Sequence, residues 1–378
     1  MPFFIGEDNI TVGEIITFLE REVPPVLAED WDNSGLQLGN PSKQVSAILV
    51  ALNATAEALQ EAGSRQANLL ITHHPLLFSP LKTINLSQPT AQVVEMALAA
   101  GTAVYSAHTT WDRAFGGVND ALAEALGLTV TGFLEEGPRE RMAKLVVFAP
   151  KEAVSQVRDA LFDDRAGVIG RYSHCSYSLD GEGSYMPLEG ADPYVGEQGK
   201  LEKADEVRLE VIAPRRSVSQ VLERVRAVHP YEEMAYDVYP LLNPTHRGGM
   251  GRMARLPKPM NLGQLIEDIK VQLNLDTVKF VGSRDREVCT VALCGGAGSS
   301  LWGEALARGA DVYISGEFRY HEALEARSKG LALVDIGHFA SEFPGVRALA
   351  GRVESSLPSG HDIAIYTYEG EKDVFQFI

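Results

Sequence analysis

The chain has 378 residues and only three cysteines, Cys175, Cys289 and Cys294, none of them in a C-x-x-C pair. That scarcity removes both a disulfide framework and a thiolate zinc site, and it suits a reducing cytoplasm. Basic charge is also in short supply: 34 Lys and Arg face 51 Asp and Glu, for a formal charge of −17. Nucleic-acid and anionic-membrane surfaces need clustered Lys and Arg, so both are disfavoured. No apolar run reaches the ~18 residues of a membrane span. The opening "MPFFIGEDNITVGE" is acidic and has no basic n-region before a long apolar core, so no export signal is expected. What is present, 45% hydrophobic and 22% charged residues, is ordinary for a globular chain, and the length suggests about two to three domains.

Near position seventy the chain reads "LLITHHPLLFSP", an apolar strand ending on His73 and His74 before Pro75. Neighbours on a continuing strand point to opposite faces and could not share one ligand. Pro75 cannot donate to a ladder and pushes His74 toward extended or turn geometry, which places the pair on the loop leaving the strand's carboxyl end. Ligands bind there in open α/β sheets. Taken alone, the stretch fits a surface turn with two satisfied histidines equally well.

Short β-branched or apolar runs alternate with helical 3.6 spacing, which implies a largely parallel α/β sheet. The pattern then repeats. "AILVALNATAEALQEAGSRQANLLIT" (47–72) lines up with "TVALCGGAGSSLWGEALARGADVYIS" (290–315), "TVGEIITFLE" with "NLGQLIEDIK", and "GTAVYSAHTTWD" with "GLALVDIGHFASE". Two homologous α/β lobes, 1–128 and 251–378, are therefore expected. The stretch between them, 129–250, has another rhythm: "MAKLVVFAP", helix "KEAVSQVRDALFD", "YSHCSYSL", "EVRLEVIAP", helix "SVSQVLERVRAV" and "MAYDVYPL". That β-α-β-β-α-β order is ferredoxin-like and reads as an inserted α+β domain, bounded by turn-rich "LEEGPRE" and "LNPTHRGGMG".

Each lobe ends a strand with His-x-x-x-acid, His108…Asp112 in "SAHTTWD" and His338…Glu342 in "GHFASE". Residues four apart share one helix face, so such a pair can reach one cation. Two of these in equivalent places, added to His73 and His74, would converge if the lobes faced each other. Imidazole and carboxylate without thiolate suit Zn, Mn, Fe(II) or Co, and five or more such groups suffice for two ions bridged by a carboxylate.

The motifs "ITHHPLLF", "SAHTTWD…GGVNDALAEALGL", "CGGAGSS", "SGEFRYHEAL" and "DIGHFASE" resemble those of the Nif-three-like family, whose bacterial members carry the name GTP cyclohydrolase 1 type 2 homologue. The segment from "GVIGRYSHC" to "HPYEEMAYDVYPL" is similar to the CutA/PII-like domain inserted in its longer members. The resemblance implies a dinuclear centre between two α/β lobes in a homohexamer, which a trimeric type of insert would make a dimer of trimers. It implies two divalent ions per chain, zinc first, with Mn, Fe, Co or Mg as alternatives. The implied ligands are His73, His74, Asp112, His338 and Glu342, with Glu342 bridging, and His108 stands beside the centre in proton transfer. Asn53 and Glu317 occupy positions where the family commonly has aspartate.

Some features outside the implied ligand set have competing readings. His321 in "FRYHEAL" is a general acid or base, or an exposed first-turn histidine. The loop "CGGAGSS" holds an anion, or is a tight turn with Ser299 or Ser300 as N-cap, and Asn119 is expected to cap its own helix. His174 and His229 read as structural. The expected function is a dinuclear-metal hydrolase acting on a small molecule; the GTP cyclohydrolase type and a purine nucleotide as substrate are what the resemblance implies. The rival is a metal-binding regulatory or adaptor protein whose insert senses an effector.

Overall fold

The computed structural model describes residues 10–137, 141–162, 166–169, 172–243 and 248–376. It divides into two compact units, Met1–Pro138 with Arg247–Ile378, and Arg139–His246. The two joints expected between them fall partly outside the described residues. Among the described residues no helix is long and apolar enough to cross a membrane.

The larger unit contains two sheets. The first runs Gly35–Leu38, Ala103–Ser106, Leu69–Thr72, Ala47–Ala51, Ala364–Thr367, with all neighbours parallel except the antiparallel Gly35–Leu38. "AILVA" and "LLIT" are buried at every position, as expected of parallel strands covered on both faces. The second sheet runs Lys279–Val281, Ala332–Asp335, Val312–Ser315, Glu287–Cys294, Gly249–Asn261, Thr129–Glu136, and its three parallel strands repeat the centre of the first. The matched sequence segments thus become matched elements. Helix Val12–Glu22 is capped by Thr11, which accepts from the Glu14 amide, and helix Leu262–Gln272 by Asn261, which accepts from the Gln264 amide.

The halves exchange elements. Strand Thr129–Glu136, expected in the insert, pairs with Gly249–Asn261 in the second sheet, and strand Ala364–Thr367 from the second half closes the first. Helix His338–Ser356 buries Val346, Leu349 and Val353 in the core of the first sheet with Ile48, Leu69 and Trp111. Helix Val118–Ala125 buries Leu122 and Ala123 in the core of the second with Val291 and Ile314. The exchange follows from amphipathicity, because each helix that leaves a His-x-x-x-acid motif finds its apolar partner on the opposite sheet. The fully buried Arg252 fastens the crossing. Its guanidinium donates to both Asp120 oxygens (2.8 and 2.6 Å) and to the carbonyls of Ala114, Gly249 and Gly251, and it lies over the Phe133 ring.

The smaller unit forms an antiparallel sheet ordered Ser176–Tyr185, Glu202–Pro214, Met142–Pro150, Tyr236–Pro240. Helices Val154–Leu161 and Val218–Arg226 pack on it through Val157, Leu161, Val221 and Val225. Strand, helix, strand, strand, helix, strand is the anticipated ferredoxin-like order. His229 is structural, its Nε2 2.9 Å from the Phe148 carbonyl, and the His174 ring rests on Phe162.

In the larger unit the Gly137 amide donates to the Gly248 carbonyl at 2.9 Å, so the insert is spliced into the turn of a β-hairpin. Replacing 139–246 by a short glycine linker should leave a folded core with cooperative melting and undiminished metal uptake, read by circular dichroism and elemental analysis. An unfolded product would contradict the splice.

Candidate metal centre

Strand Leu69–Thr72 delivers the paired histidines. Its pairing continues one step beyond the strand, where the His73 and His74 amides donate to the carbonyls of Ala51 and Leu52 (3.1 and 2.9 Å). Two hydroxyls then hold the turn: Ser106 donates to the His73 carbonyl (2.8 Å) and Thr72 to that of His74 (2.7 Å). The two rings lie side by side, centroids 4.9 Å apart, so the strand ends as expected and the pair shares one site.

Asp112 arrives on the short helix His108–Arg113, and His338 and Glu342 on the first turns of His338–Ser356. His73 Nε2 lies 3.7 Å from Asp112 Oδ1 and 3.7 Å from Glu342 Oε1. The other carboxylate oxygen, Glu342 Oε2, lies 3.0 Å from His74 Nε2 and 3.1 Å from His338 Nε2. Three metal-capable groups result: His73, Asp112 and Glu342; His74, His338 and Glu342; and His73, His74 and His108. Glu342 belongs to the first two and presents a different oxygen to each. His73 Nδ1 and Nε2 and Asp112 Oδ1 are buried with no hydrogen-bond partner among the described residues. Buried polar atoms are normally satisfied, and of these His73 Nε2 and Asp112 Oδ1 face one another at 3.7 Å as donors to one cation would, so the residues fit a metal.

Contacts behind the rings orient them. Asn53 Oδ1 lies 2.8 Å from His74 Nδ1, and Asn53 is itself held by Glu371, which also accepts from the Leu52 amide. Glu317 Oε1 lies 3.4 Å from His338 Nδ1. Asp32 Oδ1 lies 2.7 Å from His108 Nδ1, and the same carboxylate accepts from Ser34 and Thr109. The glycines admit the ligands: Gly296 has φ +61°, and a Cβ there would come within 2.1 Å of Glu342 Oε1.

The Duf34/NIF3 (NGG1p interacting factor 3) profile matches residues 10–374. The chain belongs to the Duf34/NIF3 family. A Bacillus subtilis protein named GTP cyclohydrolase 1 type 2 homolog is 41% identical over 334 residues, covering 88% of this chain and 90% of the relative. A Mycobacterium tuberculosis protein of that name is 38% identical over 358 residues, covering 93% and 94%. The crystal structure of a Bacillus cereus protein related to NIF3 superposes with a TM-score of 0.87 at 40% identity, covering 98% of this chain and 100% of the other.

In this NIF3 chain the cluster brings His73, His74, His108, Asp112, His338 and Glu342 together. His321 stays apart: it is exposed on the first turn of helix Tyr320–Ser328, edge-on to Tyr320, and in none of the metal-capable groups. Two amides of "CGGAGSS" are engaged within the protein, Gly295 on Asn119 Oδ1 and Gly296 on Ser341 Oγ, both 2.9 Å. Asn119 also donates to the Asp112 carbonyl, so it ties the ligand helix to that loop and caps nothing. Neither Ser299 nor Ser300 caps a helix. Sequence reasoning missed Asp32 and Glu371 because each acts through a contact distant in sequence, with no periodicity to mark it.

Burial alone would depress the His73 imidazole, but Asp112 and Glu342 outweigh it and raise it. His74 is lowered by burial. The hydrogen bond to Glu342 lifts His338 to about 9. Burial lifts Asp112 to about 6. Burial opposes ionisation of Glu342 too, yet His73, His338 and His74 hold it well below the usual carboxylate range.

Metal ligands must be deprotonated. Below about 9 an ion must displace the His338 proton, at lower pH that of His73, which Asp112 and Glu342 raise above the usual imidazole range, and below about 6 that of Asp112 as well. Apparent metal affinity should therefore fall with pH by about tenfold per unit per displaced proton, and more steeply below the second value, as measured by chelator competition. Gly296→Ala should push the Glu342 carboxylate aside and lower metal content while the fold persists, read by elemental analysis beside circular dichroism.

Proposed function

We propose that this protein is a dinuclear metal-dependent hydrolase of GTP cyclohydrolase type. The observation that supports this is the division of the cluster into two sets of ligands around one shared, buried carboxylate. His73, Asp112 and Glu342 Oε1 would hold one ion, and His74, His338 and Glu342 Oε2 the other. The donors are nitrogen and oxygen without thiolate, which suits zinc, with Mn, Fe, Co or Mg as competitors. Two such ions would acidify water and polarise the atom to be attacked. The chain itself does the rest. Asn53 and Glu317 hold the rings of His74 and His338 so that each presents Nε2 inward. Asp32 accepts from His108 Nδ1 and leaves its Nε2 free to take and return a proton at the substrate. A purine nucleotide opened at its imidazole ring is the reaction that the relatives' printed name suggests.

The smaller unit is read as a CutA/PII-like module and the assembly as a homohexamer, a dimer of trimers. The uncovered strands Ser176–Tyr185 and Tyr236–Pro240, exposed at nearly every position, are available for contacts between copies, and a stable monomer in light scattering would oppose this. The few cysteines and the acidic balance favour a cytoplasmic location.

Glu342→Ala should lose most of both ions, because it removes the shared ligand and leaves two cations close together. Asp112→Ala should lose chiefly one. His108→Gln should keep both and lower turnover by about 10²-fold or more. Elemental analysis and GTP turnover on metal-loaded protein, with melts as a folding control, separate these outcomes. Full metal content with no turnover of any nucleotide would favour the regulatory reading instead.

A further inference from the structure

Two large aromatic side chains stand uncovered beside the cluster. Trp31 is 61% exposed and Phe78 59%. Their ring centroids are 6.0 Å apart at 50°, and both meet the His108 ring nearly edge-on, at 5.9 and 6.3 Å. His108 in turn lies 5.4 Å from the His73 ring and 5.7 Å from that of His74. The metal ligands, His108 and the aromatic corner are therefore contiguous.

The corner is held in place. Trp31 precedes Asp32, whose carboxylate is fixed by His108, Ser34 and Thr109. Phe78 follows Leu77, and the two loops are laced together by carboxamides. Asn33 Nδ2 donates to the Leu77 carbonyl (2.5 Å) and to Gln37 Oε1 (3.1 Å), Leu77 N donates to the same Gln37 oxygen (3.3 Å), and Gln37 Nε2 donates to the Asn33 carbonyl (2.6 Å). An exposed apolar pair costs free energy in water, and here six hydrogen-bonding groups hold it at the rim of a catalytic-type cluster. That is the arrangement of a stacking platform.

Charge narrows the ligand. The cleft of about 670 Å³ on the His74 side carries Glu57 and Glu371 against the single cation Lys372. The glycine loop near Glu342 has its Gly295 and Gly296 amides engaged. The described lining of that cleft therefore carries more negative than positive charge, and two of the loop's amides are taken.

We propose that Trp31 and Phe78 form the recognition subsite of the centre, and that they stack a planar nitrogen heterocycle that the chain holds by its ring and not by phosphates. This rests on reading the cluster as a metal centre, and it adds how the substrate is held.

The test uses the full-length protein with measured metal content and three probes: guanosine, cytidine and ribose 5-phosphate. Calorimetry should show the nucleosides binding and the base-free sugar phosphate binding far more weakly. Trp31→Ala and Phe78→Ala should each weaken nucleoside binding about tenfold or more, with metal content unchanged, and Trp31→Phe should restore most of it. Unchanged nucleoside affinity in the double alanine variant would overturn the proposal, as would ribose 5-phosphate binding as tightly as guanosine. Absence of any nucleoside binding would do the same. So would a smaller assembly in light scattering with ring binding intact, since that would assign the aromatics to a contact between copies. Turnover that survives in both alanine variants would sink the subsite and spare the hydrolase. Trp31-dependent ring binding without turnover would do the reverse.

Discussion

One buried carboxylate organises this molecule. Glu342 sits almost wholly out of water, with His73 on one oxygen and His74 and His338 on the other. An isolated charge there would be costly, so ionised Glu342 requires positive charge on both sides of it. The surrounding imidazoles supply part of that charge when protonated, and cations would supply it better. Gly296 leaves the carboxylate room, and Asn119 joins the Gly295 amide to the Asp112 carbonyl. Each feature makes sense only if the ends of the two sheets are held against each other.

That holding is done by apolar surface. Helices His338–Ser356 and Val118–Ala125 bury Val346, Leu349 and Val353, and Leu122 and Ala123, on opposite sheets. Arg252 then satisfies three carbonyls and a carboxylate where the paths cross. Glu342 is presented close to the N-terminal end of a long helix whose far side is locked into a core, and Asp112 sits at the end of the short helix His108–Arg113, tied by its carbonyl to Asn119 of Val118–Ala125, so the ligands inherit the rigidity of the packing.

Much of this was legible in the sequence. The doubled His-x-x-x-acid motif, the His73–His74 pair before Pro75 and the strand–helix–strand repeat are local patterns, and local patterns survive in one dimension. The capped helices at 12–22 and 262–272 fell where the repeat put them. The exchange of Thr129–Glu136 and Ala364–Thr367 was not legible, because both are ordinary strands whose partners are chosen by the edge each sheet leaves open. Asp32 and Glu371 were hidden for a related reason. A carboxylate that orients a ring through space has no spacing rule, and Asp32 in "EDWDNSG" looks like any acidic turn. The glycine loop misled in the opposite direction: its composition suggested an anion cradle, whereas its amides serve Asn119 and Ser341.

The strand Ala364–Thr367 bears on how the chain is made. It lies parallel to Ala47–Ala51, a strand buried at all five positions. Until strand Ala364–Thr367 leaves the ribosome, Ala47–Ala51 has an open hydrogen-bonding edge. Synthesis proceeds from the N-terminus at a pace slower than collapse, so the first sheet must wait, unfinished, while the insert and most of the second half are made. An exposed apolar edge is a template for pairing with another copy, and a nascent or truncated chain is sticky there in a way the completed one is not. The same topology that makes the two halves inseparable thus leaves the early-made half in need of shelter until strand Ala364–Thr367 is translated.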